Sequence, residues 1–339
     1  MNERFTPDDT RDTLREIGGL LFGLAALMIF IRKGPALAGN PEQWAAFPMF
    51  LVLAIPAIYL YGSILTTPQT GRLRPWQVVH SVLGLIFVPL ALLQFIDVIG
   101  GNPNAGLNIF WTFGLTAALA FYAGLVVGVR VQVLLGSLAV IVSWTALWNE
   151  LLSDGIGAHW GVYRGLLGIL SIGLLAGALY VWRTNPGGDD AAETATHPGG
   201  DLGLWKASEL FTGAGVAAVI ACALGITALG NLNPLSSGTP PIGTSTFWDI
   251  LLLLVSLGLV GVGAQVGPRG PTYVGGIGLV LFLIIAGFDL DSTPPEPFKF
   301  GAWPWVLLIL GLLGLALGFT REASLGDQPR RFIQNLRGR

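Results

Sequence analysis

Apolar residues along this chain come in runs of about 17–25 positions, the length that crosses a hydrocarbon core of ~30 Å, and polar residues gather in the short stretches between them. Ten such runs are predicted as helices: 17–31, 44–65, 76–99, 107–128, 131–152, 162–182, 208–229, 247–263, 273–288 and 302–319. The pattern predicts an all-α fold, a polytopic integral membrane helical bundle of about ten transmembrane helices. Thr6-Pro7-Asp8-Asp9 reads as a helix start: an N-cap threonine, proline at the first helical position, and carboxylates near the positive end of the dipole. Only a residue or two separates the fourth and fifth runs, which predicts a tight antiparallel hairpin. Pro48, Pro56 and Pro89 fall inside runs, where membrane helices tolerate them if neighbours satisfy the freed carbonyls.

The runs also repeat. Phe247-Trp248, Arg269 and Asp289 follow one another at spacings close to those of Phe110-Trp111, Arg130 and Glu150. The later spacing differs, with 10 residues from Glu150 to Trp160 and 14 from Asp289 to Trp303. This predicts a tandem repeat of four helices, 76–183 and 208–321, preceded by 1–75 with two extra helices. An even number of crossings makes such a repeat parallel. Residues 184–207 join the units as a flexible cytoplasmic linker, because their Gly, Asp, Ala and Thr can bury nothing. A basic tail, 322–339, closes the chain.

Composition narrows the class. Apolar residues make up 53% of the 339 and charged ones 11%, against roughly 25% charged in soluble globular domains. A net charge of −2 with no basic groove implies no nucleic-acid partner. A single cysteine, Cys222, rules out an intramolecular disulfide. The N-terminal run resembles a signal peptide only in part: Asp8, Asp9, Asp12 and Glu16 spoil the n-region, so the first span is expected to stay.

Orientation follows from Lys and Arg. With the N-terminus inside, the inner segments carry Arg4, Arg11, Arg15, Arg72, Arg74, Arg130, Arg183, Lys206, Arg269, Arg321, Arg330, Arg331, Arg337 and Arg339. The outer ones carry only Arg32, Lys33, Arg164 and Lys299. That imbalance predicts a cell-membrane protein with both termini cytoplasmic.

No catalytic or phosphate-binding motif is present, and the histidines His80, His159 and His197 lack metal-ligand spacing. No catalytic residue, cofactor site or metal site is predicted. Acids do gather at the outer ends of spans, and ionisable groups near apolar runs are expected to pair or face water. Asp97, Glu150 and Asp289 are thus candidates for an outward-facing ligand or ion vestibule. Asp249 sits three residues after Thr246, a spacing close to a capping box. Arg72, Arg74, Trp76, Gln77 and His80 read as an interfacial anchor. Glycines four apart, at Gly19/Gly23, Gly173/Gly177 and Gly314/Gly318, read as packing positions within the bundle. The expected role is a non-catalytic scaffold or partner subunit in contact with the lipid bilayer and with another membrane protein. A secondary transporter or channel-like protein with a polar vestibule is the alternative.

Overall fold

A computed structural model describes residues 7–33, 44–64, 75–152, 160–184, 202–224, 246–266, 269–289 and 296–297. The chain divides into two compact units, Met1–His159 and Trp160–Arg339. The first holds α1 (Pro7–Lys33), α2 (Ala46–Gly62), α3 (Pro75–Val98), α4 (Gly106–Phe121) continued by a π-helical turn (Tyr122–Val127), and α5 (Arg130–Leu151). The second holds α6 (Trp160–Thr184), α7 (Leu202–Ala223), α8 (Thr246–Val266), α9 (Arg269–Gly287) and a two-residue antiparallel ladder, β1 (Phe288–Asp289) with β2 (Glu296–Pro297). Each of the first nine predicted runs contains one of these helices among the described residues; the tenth, 302–319, lies outside them, as do Gly314/Gly318, the linker core and the basic tail.

Six of the helical stretches are long and apolar enough to cross a membrane: Leu14–Lys33, Trp76–Val98, Gly106–Val127, Arg130–Leu151, Gly161–Thr184 and Lys206–Ala223. Ala46–Gly62, Phe247–Gly263 and Gly270–Leu283 are apolar but shorter. The expectation of ten crossings therefore exceeds what length and composition carry among the described residues. At 1.5 Å per residue, the 17 residues of α2 rise only about 25 Å, short of a ~30 Å core. The outward faces remain apolar: Ile58, Val126 and Ile172 are 75%, 69% and 68% exposed. Such faces suit lipid rather than water.

In the first unit α2 and α3 form a pair whose core joins Met49, Leu53 and Leu60 to Phe87 and Ala91, with Ala26 of α1 added. Gly84 sets their approach, since a methyl group there would lie 2.8 Å from Tyr61 Cα. The Tyr61 hydroxyl then donates to the Leu119 carbonyl at 2.7 Å, tying α2 to α4. The predicted hairpin between α4 and α5 turns on Gly128 and Val129. Gly128 adopts φ +92°, the left-handed conformation that costs an L-residue about 1–2 kcal/mol. Val129 N–H reaches back to the Ala123 carbonyl at 3.0 Å, closing the end of the π turn.

In the second unit α6 runs antiparallel to α7: Arg164 bonds Leu224, and Ser171 Oγ donates to the Ala214 carbonyl at 2.8 Å. α8 and α9 pair as a hairpin against α7, around Val219, Cys222, Leu252, Leu253 and Phe282. The glycine pairs behave differently. Gly19 and Gly23 face His80 and Phe87 across α1–α3, whereas Gly173 and Gly177 meet no atom within 4 Å among the described residues.

Candidate functional site

Of the three vestibule residues, Glu150 is the most informative. It stands in the last turn of α5, exposed, and its Oε2 accepts the Gly106 backbone N–H at 2.9 Å. Gly106 opens α4, whose N-cap Ala105 has no side chain able to cap it. A carboxylate from a neighbouring helix therefore satisfies an orphan donor at the positive end of α4. The close approach is built in: a methyl group on Gly106 would lie 2.8 Å from the Ala146 carbonyl. Asp97, also exposed, accepts from Gln94 Nε2 at 3.0 Å within its own helix. Asp289 lies in the second unit, where its backbone pairs with Glu296; its side chain falls outside what the structure describes. Each of the first two acids is thus held by its own hydrogen bond, Glu150 across to α4 and Asp97 within α3.

Of the inner set, Gln77 and His80 are buried and Trp76 is half-buried, at the start of α3. His80 is 2% exposed, and its Nε2 lies 3.1 Å from the Arg15 carbonyl. A carbonyl only accepts, so Nε2 carries the proton and Nδ1 is left as an acceptor, without a partner among the described residues. The Trp76 ring stacks edge-on to His80 at 5.1 Å and carries the Arg15 guanidinium 5.5 Å from its centroid. Gln77 Nε2 donates to the Ser63 carbonyl at 3.1 Å. Together these contacts fasten α1 and α2 to the start of α3. Arg72 and Arg74 lie outside the described residues.

A second polar cluster gathers at one end of the other unit. Arg164 enters from the first turns of α6 and is 7% exposed. Its Nε–H donates to the Leu224 carbonyl just past the end of α7, where a cation complements the helix dipole. Its guanidinium lies 4.9 Å from the centroid of the Trp248 ring on α8, a cation–π contact. Asp249, 2% exposed in the first turn of α8, and the buried thiol of Cys222 are close enough to act electrostatically on that guanidinium. Nη2 of Arg164 has no hydrogen-bond partner among the described residues, nor has the hydroxyl of the neighbouring Tyr163, 1% exposed.

The chain matches no family model, no curated protein and no solved structure. The site must be read from its own chemistry. Among the described residues no group of three or more His, Cys, Asp and Glu could hold a metal ion.

Sequence reasoning placed Arg164 among the outer loop charges and Asp249 in a cap. The signal for a buried site was an arginine inside the sixth apolar run, since a charge within a span calls for a partner. Those partners, a helix-terminal carbonyl and an indole face, have no spacing signature.

Proposed function

We propose that this chain is a non-catalytic multi-pass protein of the cell membrane, acting as a scaffold or partner subunit for another membrane protein. The observation that carries this reading is the engagement of Glu150. The acid best placed for an outward vestibule is spent on capping α4, and Asp97 is likewise bonded within α3. The reading includes ten crossings, with both termini and 184–207 on the cytoplasmic side, by the bias of Lys and Arg.

The proposed repeat, 76–183 and 208–321, gains support from the helix contacts. Gly124 packs on Val133 and Gly263 on Thr272; a methyl group would lie 3.0 Å and 2.7 Å from the respective backbone nitrogens. Gly136 packs on Phe121 and Gly275 on Val260. Each residue of the first pairs lies 139 positions before its counterpart, as Arg130 does before Arg269 and Glu150 before Asp289. Trp111 and Trp248 are 137 apart and fall two positions out of that register. The correspondence of α4–α5 with α8–α9 thus rests on the glycine contacts and the charges, not on the tryptophans.

Secondary transport is the second reading, favoured by the burial of Arg164 beside Asp249 in an apolar unit. Reconstitution into liposomes separates the two. A scaffold carries no flux, and Glu150→Gln leaves that unchanged while lowering thermal stability slightly. Flux in the wild-type protein that vanishes in a correctly inserted Glu150→Gln or Asp289→Asn variant would establish transport instead.

A further inference from the structure

α7 is the central helix of the second unit: of the six spanning stretches, Lys206–Ala223 is the most buried, at 67%. Its neighbours among the described residues take two of its faces. The Ala214 carbonyl meets Ser171 of α6. Thr212, Gly215, Val219 and Cys222 meet α8 and α9. At about 3.6 residues per turn, Glu209, Val216 and Ile220 fall on a third face. Ile220, 39% exposed, is the one exposed residue among 206–223, and Val216 is half-buried.

The first unit shows what such a face holds. Trp76 and Gly84 of α3 recur 129 positions later as Trp205 and Gly213 of α7, which matches His80, Phe87 and Ala91 to Glu209, Val216 and Ile220. On α3 those positions carry α1: His80 fills the space left by Gly19, Gly23 packs on Phe87, and Ala91 shares a core with Ala26. Small residues let a transmembrane helix approach that closely.

The reach of the chain names the counterpart on α7. A methyl group on Gly270 would meet Thr212 and one on Gly278 would meet Val219, so α7 and α9 run parallel and end on the same side. The ladder of β1 with β2 brings the chain back to the end of α9, and only residues 298–301 separate β2 from the apolar run 302–319. Such a connection reaches at most roughly 17 Å, against about 8–10 Å between the axes of packed helices. As a helix the run is about 27 Å long, and Gly314/Gly318 repeat the spacing of Gly19/Gly23.

We propose that the face of α7 formed by Glu209, Val216 and Ile220 is the seat of the run 302–319, which crosses antiparallel to α7 and closes the second unit as α1 closes the first. The inference draws on the match of α3 with α7 and goes beyond the scaffold reading, since it holds for a scaffold and a transporter alike.

The test is cross-linking within the full-length chain in its membrane. Cys222→Ala removes the native thiol and Ile220→Cys marks the seat. A second cysteine is placed in turn at each of 305–308, which an antiparallel helix brings level with Ile220. A protease site inserted in 231–244 cuts the chain between the two cysteines. After a short bismaleimide and cleavage, the two pieces should stay joined for positions on one side of that turn. They should separate when the marker is Ile169→Cys, on the outward face of α6. If Ile220→Cys does not fold, Val216→Cys with cysteines at 309–312 reads the same face one turn further in. Joined full-length copies would show that a second copy covers the face, and no joined product at any position would show that lipid does. Either result overturns the proposal and leaves the scaffold reading standing, because liposome flux tests that separately.

Discussion

At the scale of the residue, the polar groups inside this protein fall into those with a fixed partner and those without. Glu150 has one. The glutamate caps α4 through Gly106 N–H, and Glu150→Gln removes the charge that the helix dipole favours while keeping an acceptor. We expect a loss of about 0.3–1 kcal/mol, read as a lowered unfolding midpoint in detergent. Loss of all folded protein would show that the carboxylate does more than cap. Gln132 is the opposite case: 0% exposed, with neither Oε1 nor Nε2 partnered among the described residues. Burying an amide unsatisfied costs roughly 1–3 kcal/mol. Gln132→Leu, similar in volume and free of that cost, should therefore raise the unfolding midpoint. A fall would mean that the amide is bonded in the folded protein.

Such pairings explain what could be read from the sequence and what could not. The apolar runs were legible because burial in hydrocarbon demands length and composition, both of which are written along the chain. The hairpin between α4 and α5 spans two residues, as the local chemistry predicts, while the Thr6 cap expected before α1 lies outside the described residues. The cap on α4 was not legible. Its donor is a backbone N–H 44 residues from Glu150, and any acid at a span end looks the same in sequence. Arg164 stayed hidden for the same reason.

Elements pair here through glycine, and the glycines are not equivalent. At Gly84 the α3 backbone meets the backbone of Tyr61, which cannot yield as a side chain end would. Gly84→Ala should force α2 and α3 apart and cost about 1–3 kcal/mol. Gly173 on α6 meets no atom within 4 Å among the described residues, so Gly173→Ala should leave stability unchanged or raise it slightly through helix propensity. Measured side by side, equal effects of the two substitutions would contradict the packing described for α2 and α3. Gly128→Ala tests the hairpin separately. Its left-handed φ of +92° predicts a loss of roughly 1–2 kcal/mol, with no atom within 4 Å to clash among the described residues.

For the whole molecule the question is how often the chain crosses the bilayer. Among the described residues six stretches qualify by length and apolarity; of the shorter apolar helices, α2 pairs with α3, and α8 and α9 pair with each other against α7. A short helix in such a pair can still span if the bilayer thins around it or flanking side chains snorkel, each at modest cost. The proposed orientation counts these short helices as crossings, because omitting any one inverts every loop that follows. α7 is the decisive element: its 22 residues separate 184–201, assigned inside, from 231–244, assigned outside. Reporter insertions in those two stretches, in the full-length protein in its native membrane, test the topology most directly. The account predicts opposite sides, with 184–201 cytoplasmic. Both reporters on the same side would contradict it.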